Sequence, residues 1–162
     1  MECTLSVGKI AIVQTGRVAI KQMTQESLVE SKENPPTVEM KYGEREIEQG
    51  ELITFPNPRL GRRYDIHITL PEFTCKCPFS GYPDFATIYI TYVPDRLVVE
   101  LKAIKLYINS YRDRYISHEE SINKILDDFV AACDPLEAYI KGDYSPRGNV
   151  HTVIEVRHQK AN

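Results

Sequence analysis

No stretch of this chain approaches the roughly 18 consecutive apolar residues of a membrane span. The opening residues, Met1-Glu-Cys-Thr-Leu-Ser-Val7, carry neither a basic region nor an apolar core, so no export signal is read there. Only four cysteines occur in 162 residues. They lack the spacing of a disulfide framework, which suggests reduced thiols in a cytosol. The pair Cys75-Lys-Cys77 has one intervening residue and no second Cys or His pair, so no metal is expected. A net charge of −3 and a pI near 5.8 argue against direct nucleic-acid binding. The glycine-rich Rossmann fingerprint is absent, and neither a repeat nor a low-complexity tract is present. The expectation is a cytoplasmic protein with no membrane partner.

What is present is ordinary globular composition: 42% hydrophobic and 27% charged residues. The length suffices for one domain, burying roughly 70% of its unfolded surface. Residues 1–64 read as an N-terminal arm of that single domain, and residues 65–157 as its sheet-and-helix core. Within the arm, Lys9–Val13 and Arg17–Ile20 could be short strands and Thr24–Val29 a helical turn. Ser31-Lys-Glu-Asn-Pro-Pro36 has linker composition. Lys41–Glu51 is highly charged and reads as surface. Phe55-Pro-Asn-Pro58 is stiff and extended.

From Asp65 the pattern becomes regular. Asp65–Leu70 and Ala86–Val93 alternate as half-buried strands do. Val93-Pro-Asp-Arg96 is a turn with proline at its second position, and Leu97–Leu101 is a third, short strand. Ile104, Tyr107, Ile108 and Tyr111 then recur at helical spacing. A second helix starts at Ser117, whose Glu120 three residues on completes a capping signature. Its apolar face is Ile122, Ile125, Leu126, Phe129, Val130 and Cys133, and Asp134-Pro135 ends it. Two more strands are expected near Leu136–Tyr144 and Val150–Arg157, joined by the turn Ser145-Pro-Arg-Gly-Asn149. Strands and helices are segregated, which predicts an α+β fold: an antiparallel four-stranded sheet with two helices on one face. The open edges of so small a sheet make an oligomeric barrel plausible.

The chemistry concentrates between the two long strands, in Phe73-Thr-Cys-Lys-Cys-Pro-Phe-Ser-Gly-Tyr-Pro-Asp-Phe85. Pro78 and Pro83 each lack a backbone donor and stiffen the segment, which reads as a constrained loop. Cys77 stands at its start and Asp84 at its end. A thiol and a carboxyl so held are what a nucleophile and a proton donor require. The plain alternative is that Cys77, like Cys75, is a small buried apolar residue. Glu100, at a strand end, and His118 and Glu119, in the first turn of the second helix, are further candidates. For Glu119 the plain alternative is favourable interaction with the helix dipole.

At this point the chain resembles the QueF family of NADPH-dependent 7-cyano-7-deazaguanine reductases, the nitrile reductases of queuosine biosynthesis. Glu100-Leu-Lys-Ala-Ile-Lys-Leu-Tyr107 fits the family signature at all eight positions. Cys77–Phe85 matches its cysteine loop, and Ser117-His-Glu-Glu120 its His-Glu pair. Lys41–Arg45 and Leu52–Pro58 resemble the arm of its short, single-module branch. The resemblance implies the tunnelling fold (T-fold), with subunits joining their sheets into barrels and active sites where subunits meet. It implies Cys77 as nucleophile and Asp84 as general acid. Val99, Glu100, Leu101, His118 and Glu119 would hold the deazaguanine, and Leu101, Lys102, Arg147 and Gly148 the NADPH. Asn149 stands where the family often has a second glycine, and Leu101 where serine is common. The implied reaction takes a nitrile to an aminomethyl group through a Cys77 thioimide, with two NADPH and no metal.

Two other functions fit parts of the pattern. A QueF-like amidinotransferase uses the same thioimide chemistry but lacks the Glu100–Tyr107 type of signature. A non-catalytic T-fold oligomer that binds a purine would not need Cys77 and Asp84 intact.

Overall fold

A computed structural model describes residues 39–161. The chain divides into two units, Met1–Val38 and Glu39–Asn162, and the described residues belong to the second. The strands expected at Lys9–Val13 and Arg17–Ile20, the turn at Thr24–Val29 and the linker at 31–36 lie outside the described residues. In chain order the elements are α1 (Tyr42–Glu48), β1 (Thr54–Pro56), β2 (Ile66–Lys76), β3 (Pro83–Val93), β4 (Leu97–Val99), α2 (Leu101–Asn109), α3 (His118–Cys133), β5 (Glu137–Tyr144) and β6 (Val153–Gln159). A 3-10 turn, Ser110–Asp113, follows α2. The expected four-stranded antiparallel sheet is present, in the order β2-β3-β5-β6.

Period-2 alternation decides which side chains meet the helices. On β3 the inward row is Asp84, Ala86, Ile88, Ile90 and Tyr92, and on β5 it is Ala138, Ile140, Gly142 and Tyr144. The core forms where these rows meet Ile122, Ile125 and Phe129 of α3 and Ile104, Ile108 and Tyr111. Tyr92 and Phe129 cross edge to face at 4.9 Å, joining sheet and helix. Gly142 is required by close approach. A Cβ there would lie 2.4 Å from Ile122 Cδ1.

The pairing of β2 with β3 shifts register between Leu70 and Phe73, leaving Pro71 and Glu72 against one partner residue. Pro71 cannot donate to the ladder, which favours such a bulge. The extra residue reverses the parity of the strand. Before it Ile68 and Leu70 pair with the inward Ile90 and Ile88, and after it Phe73 and Cys75 pair with the inward Ala86 and Asp84. The end of β2 is thereby turned to the helical side.

Several sequence expectations need correction. The long loop at 73–85 shrinks to Cys77–Tyr82, because both strands run further than the alternation suggested. Asp84 is therefore on a strand, not at a loop end. Pro83 fits there because β3 pairs with β5 only from Ala86 onward, so only its β2 side is laddered. Leu97–Leu101 is shorter than expected and does not join the main sheet. Leu97–Val99 pairs instead with Thr54–Pro56, in the segment read as merely extended. The charged stretch after Lys41 forms α1, which buries none of its residues; the Glu44 carboxylate accepts the Lys41 amide at 2.7 Å at its start.

Candidate active site

The turn after β2 is closed by two backbone bonds, Cys77 N–H to Tyr82 O at 2.8 Å and Gly81 N–H to Cys77 O at 2.9 Å. Gly81 takes φ 72, which an L side chain resists. The curl brings the Phe79 and Ser80 amides and the Ser80 hydroxyl to the half-buried Cys77 thiol. The Ser80 hydroxyl, then the Ser80 and Phe79 amides, favour the thiolate and lower its pKa to about 7; burial and the Asp84 charge oppose this. Cys75, two residues earlier and fully buried, is the reverse. Desolvation, then the Asp84 and Cys77 charges, push its thiol up to about 12.

Asp84 is the charged residue at the end of the inward row of β3, buried on the helical side. Two cationic or potentially cationic groups face it. Arg147, from the β5–β6 turn, donates through Nη1 to Asp84 Oδ1 and through Nη2 to Ser80 Oγ at 2.9 Å. His118 places Nε2 3.4 Å from Asp84 Oδ2. His118 is the first residue of α3, whose start is set by Ser117 Oγ accepting the Glu120 amide at 3.1 Å. Cys77, Asp84, His118, Ser145, Arg147, Val150 and Thr152 line a cleft of about 210 Å³. A larger hollow of about 380 Å³ lies at the opposite end of the sheet and contains none of the residues singled out from the sequence.

The other candidates stand apart from this cleft. Glu100 caps α2: its carboxylate accepts the Lys102 amide at 2.9 Å and the Ala103 amide at 2.6 Å, and those bonds lower its pKa. Lys102 Nζ pairs with Glu46 of α1 at 3.2 Å. Val99 is buried and Leu101 exposed. None of these four lines the cleft. Glu119 is exposed beside His118. Arg147, expected to face cofactor phosphates, lies over the Tyr82 ring at 5.5 Å with its guanidinium on Asp84 and Ser80. Sequence reasoning passed over Ser80. A proline-started turn that folds position 80 back onto 77 is the signal that would have found it. Among the described residues no group of three or more His, Cys, Asp or Glu is placed to hold a metal ion. No helix among them is long and apolar enough to cross a membrane.

Fold and cleft together define an α+β protein with an activated thiol beside a buried carboxyl and an imidazole. The sequence profile of a family described as QueF-like protein matches residues 83–162. Over 125 residues the chain is 84% identical to the NADPH-dependent 7-cyano-7-deazaguanine reductase of Nostoc sp. (strain PCC 7120), covering 77% of this chain and 92% of that protein. It is 78% identical to the protein of that name from Gloeothece citriformis over 134 residues, 83% of this chain and 97% of the relative. The crystal structure of an archaeosine synthase QueF-Like in the apo form superposes with a TM-score of 0.55 at 21% identity, covering 64% of this chain and all of that one, a likeness of fold. The chain belongs to the QueF family.

Proposed function

We propose that this chain is an NADPH-dependent 7-cyano-7-deazaguanine reductase serving queuosine biosynthesis. The observation that carries the reading is identity of 74–84% to relatives of that name over most of their length. The cleft supports it by pairing a thiol of lowered pKa with a buried carboxyl.

Cys77 thiolate adds to the nitrile carbon, forming a C–S bond as one C–N π bond breaks, and the carboxylic acid form of Asp84 delivers its proton to the nitrogen, leaving the carboxylate that Arg147 and His118 face. The product is a thioimide. Phe79 and Ser80, whose amides favour the thiolate, equally favour its later departure. NADPH bound beside Cys77 would supply hydride, two equivalents being needed to take the nitrile carbon to the amine with the Cys77 thiolate leaving between them. The residues suit such a cofactor. Arg147 is partly exposed in an open turn, and Gly148, at φ 58, has nothing within 4 Å of where a Cβ would stand. With Leu101 and Lys102, Arg147 and the Gly148 backbone would hold the phosphates by charge and close approach. Glu119, with His118, grips the guanine edge, whose adjacent N–H donors suit a carboxylate. Val99, Glu100 and Leu101 line the base pocket.

Because that second group is remote from the Cys77 cleft within one chain, the site is completed by a neighbouring subunit of a homo-oligomer. We infer that residues 65–157 are the T-fold core that assembles, with the N-terminal residues as its arm. The direct test is spectroscopic. Adding 7-cyano-7-deazaguanine to protein and NADPH should bleach the nicotinamide near-ultraviolet band and yield the aminomethyl product. Adduct formation without any NADPH loss would instead favour an amidinotransferase, and binding without an adduct a purine-binding oligomer.

A further inference from the structure

We propose that Tyr144, anchored by Ser121, is a positioning residue that fixes the His118 ring against Asp84. The Tyr144 and His118 rings are stacked, with centroids 3.7 Å apart and planes 12° from parallel. Turning the imidazole about its side-chain bond would lose that face-to-face contact, so the stack holds the ring plane. The Nε2 end then points at Asp84 Oδ2, 3.4 Å away.

The platform is itself fixed at both ends. Its ring meets Phe73 edge-on at 6.1 Å. Its hydroxyl lies 2.6 Å from Ser121 Oγ, and the Ser121 hydroxyl donates to the His118 carbonyl at 2.8 Å. One consistent arrangement satisfies every group: Tyr144 O–H to Ser121 Oγ, and Ser121 O–H to His118 O. Tyr144 and Ser121 are fully buried, so this chain of bonds has no competing water. Burial pushes the Tyr144 phenol upward, which keeps it a neutral donor. Tyr144 thus controls the backbone of His118 through Ser121 and the ring of His118 directly. It touches no reacting atom. Its action is on the geometry of the imidazole that faces the general acid, where a displacement of about 1 Å can cost about 100-fold. The inference rests on the reading of Asp84 and His118 as reaction-site groups.

The test uses the full chain with Tyr144→Leu, Tyr144→Phe, Ser121→Ala, His118→Ala and the double variant His118→Ala/Tyr144→Leu. Thioimide formation without NADPH is followed by mass, and kcat and KM by NADPH loss. Tyr144→Leu should lower adduct rate and kcat by about 10- to 100-fold with KM changed less than about threefold. Tyr144→Phe, which keeps the ring, should recover most of that loss. Adding Tyr144→Leu to His118→Ala should cost almost nothing further, because the two act as one unit. Histidine-labelled protein gives an independent readout by NMR. The His118 ring protons should be shifted by the Tyr144 ring current in the parent and Tyr144→Phe proteins and not in Tyr144→Leu. That signature does not depend on which reaction is catalysed, so its presence in a protein that reduces no nitrile would defeat the functional reading and leave the positioning intact. If Tyr144→Leu does not fold, Ser121→Ala must show a smaller rate loss that vanishes in the His118→Ala background. Parent-like rates in a folded Tyr144→Leu protein, a multiplicative loss in the double variant, or unshifted His118 protons would each overturn the proposal.

Discussion

At the scale of single residues, two cysteines two positions apart have opposite chemistry because one turn separates their surroundings. Cys77 meets amides and a hydroxyl; Cys75 is fully buried with the Asp84 charge beside it. Incubating the protein with the nitrile and no NADPH should therefore add the substrate mass to the Cys77 peptide. Cys77→Ala should abolish both adduct and reduction. Cys75→Ala should keep activity and lose about 1 kcal/mol of stability from the small void left in the core. Ser80 offers a second, graded test. The Cys77 pKa is lowered to about 7 with the Ser80 hydroxyl as the first cause. Adduct formation should fall about tenfold for each pH unit below that midpoint, as thiolate becomes thiol. Ser80→Ala removes the leading stabiliser of the charged form, so the midpoint should move to higher pH. An unchanged midpoint in the pH–rate profile would remove Ser80 from the activation of the thiol.

At the scale of elements, the site is an outcome of register. The bulge at Pro71-Glu72 puts the end of β2 on the helical side, and the inward phase of β3 puts Asp84 opposite Cys75. α3 then delivers His118 from its first turn. Its distance from the sheet is set where Ile122 rides over Gly142. Gly142→Ala should force α3 outward, since the new methyl would overlap the fully buried Ile122. Overpacking of this kind costs about 1–3 kcal/mol, readable as a lower urea midpoint. Ile122 lies one turn beyond His118, so the adduct rate should fall as well. Loss of stability with an unchanged rate would mean that α3 adjusts without moving its start.

At the scale of the whole molecule, the exposed surface is informative. Phe79 is 95% exposed at the tip of the cysteine turn and Leu101 is 65% exposed at the start of α2. Both edge strands, β2 and β6, have one unpaired side within the sheet. A second copy that pairs an edge could bring Leu101 and Glu100 of one subunit to the Cys77 cleft of the next. Mixed and refolded Cys77→Ala and Leu101→Arg proteins, each inactive alone, should then regain activity, because some seams unite both intact groups. Dilution should lower specific activity, and substrate should oppose that loss by mass action. An active monomer in sedimentation, or no recovery from a demonstrably mixed oligomer, would place the whole site in one chain.

Much of this was legible in the residue order. Alternation with period 2 located β2 and β3 and spacing of 3.6 located α2 and α3, because each pattern reports one buried face; turn residues bounded β4, β5 and β6. Proline and glycine marked the Cys77 turn, and Ser117 the start of α3. Motif resemblance named the thiol, the carboxyl and the His-Glu pair. What no local pattern contains is where separate elements meet. That Asp84 belongs to a strand required the β2–β3 register. That Lys102 pairs with Glu46, 56 residues away, required α1 to dock beside α2. That Arg147 and His118 converge on Asp84 from 63 residues and a different element away depends on the close of the sheet and the seat of α3. Tyr144 carries no signature at all; it is one more inward residue of β5. Only burial against Phe73, Ser121 and the His118 ring gives it a task, because stacking and hydrogen bonding act between neighbours in space, whatever their distance along the chain.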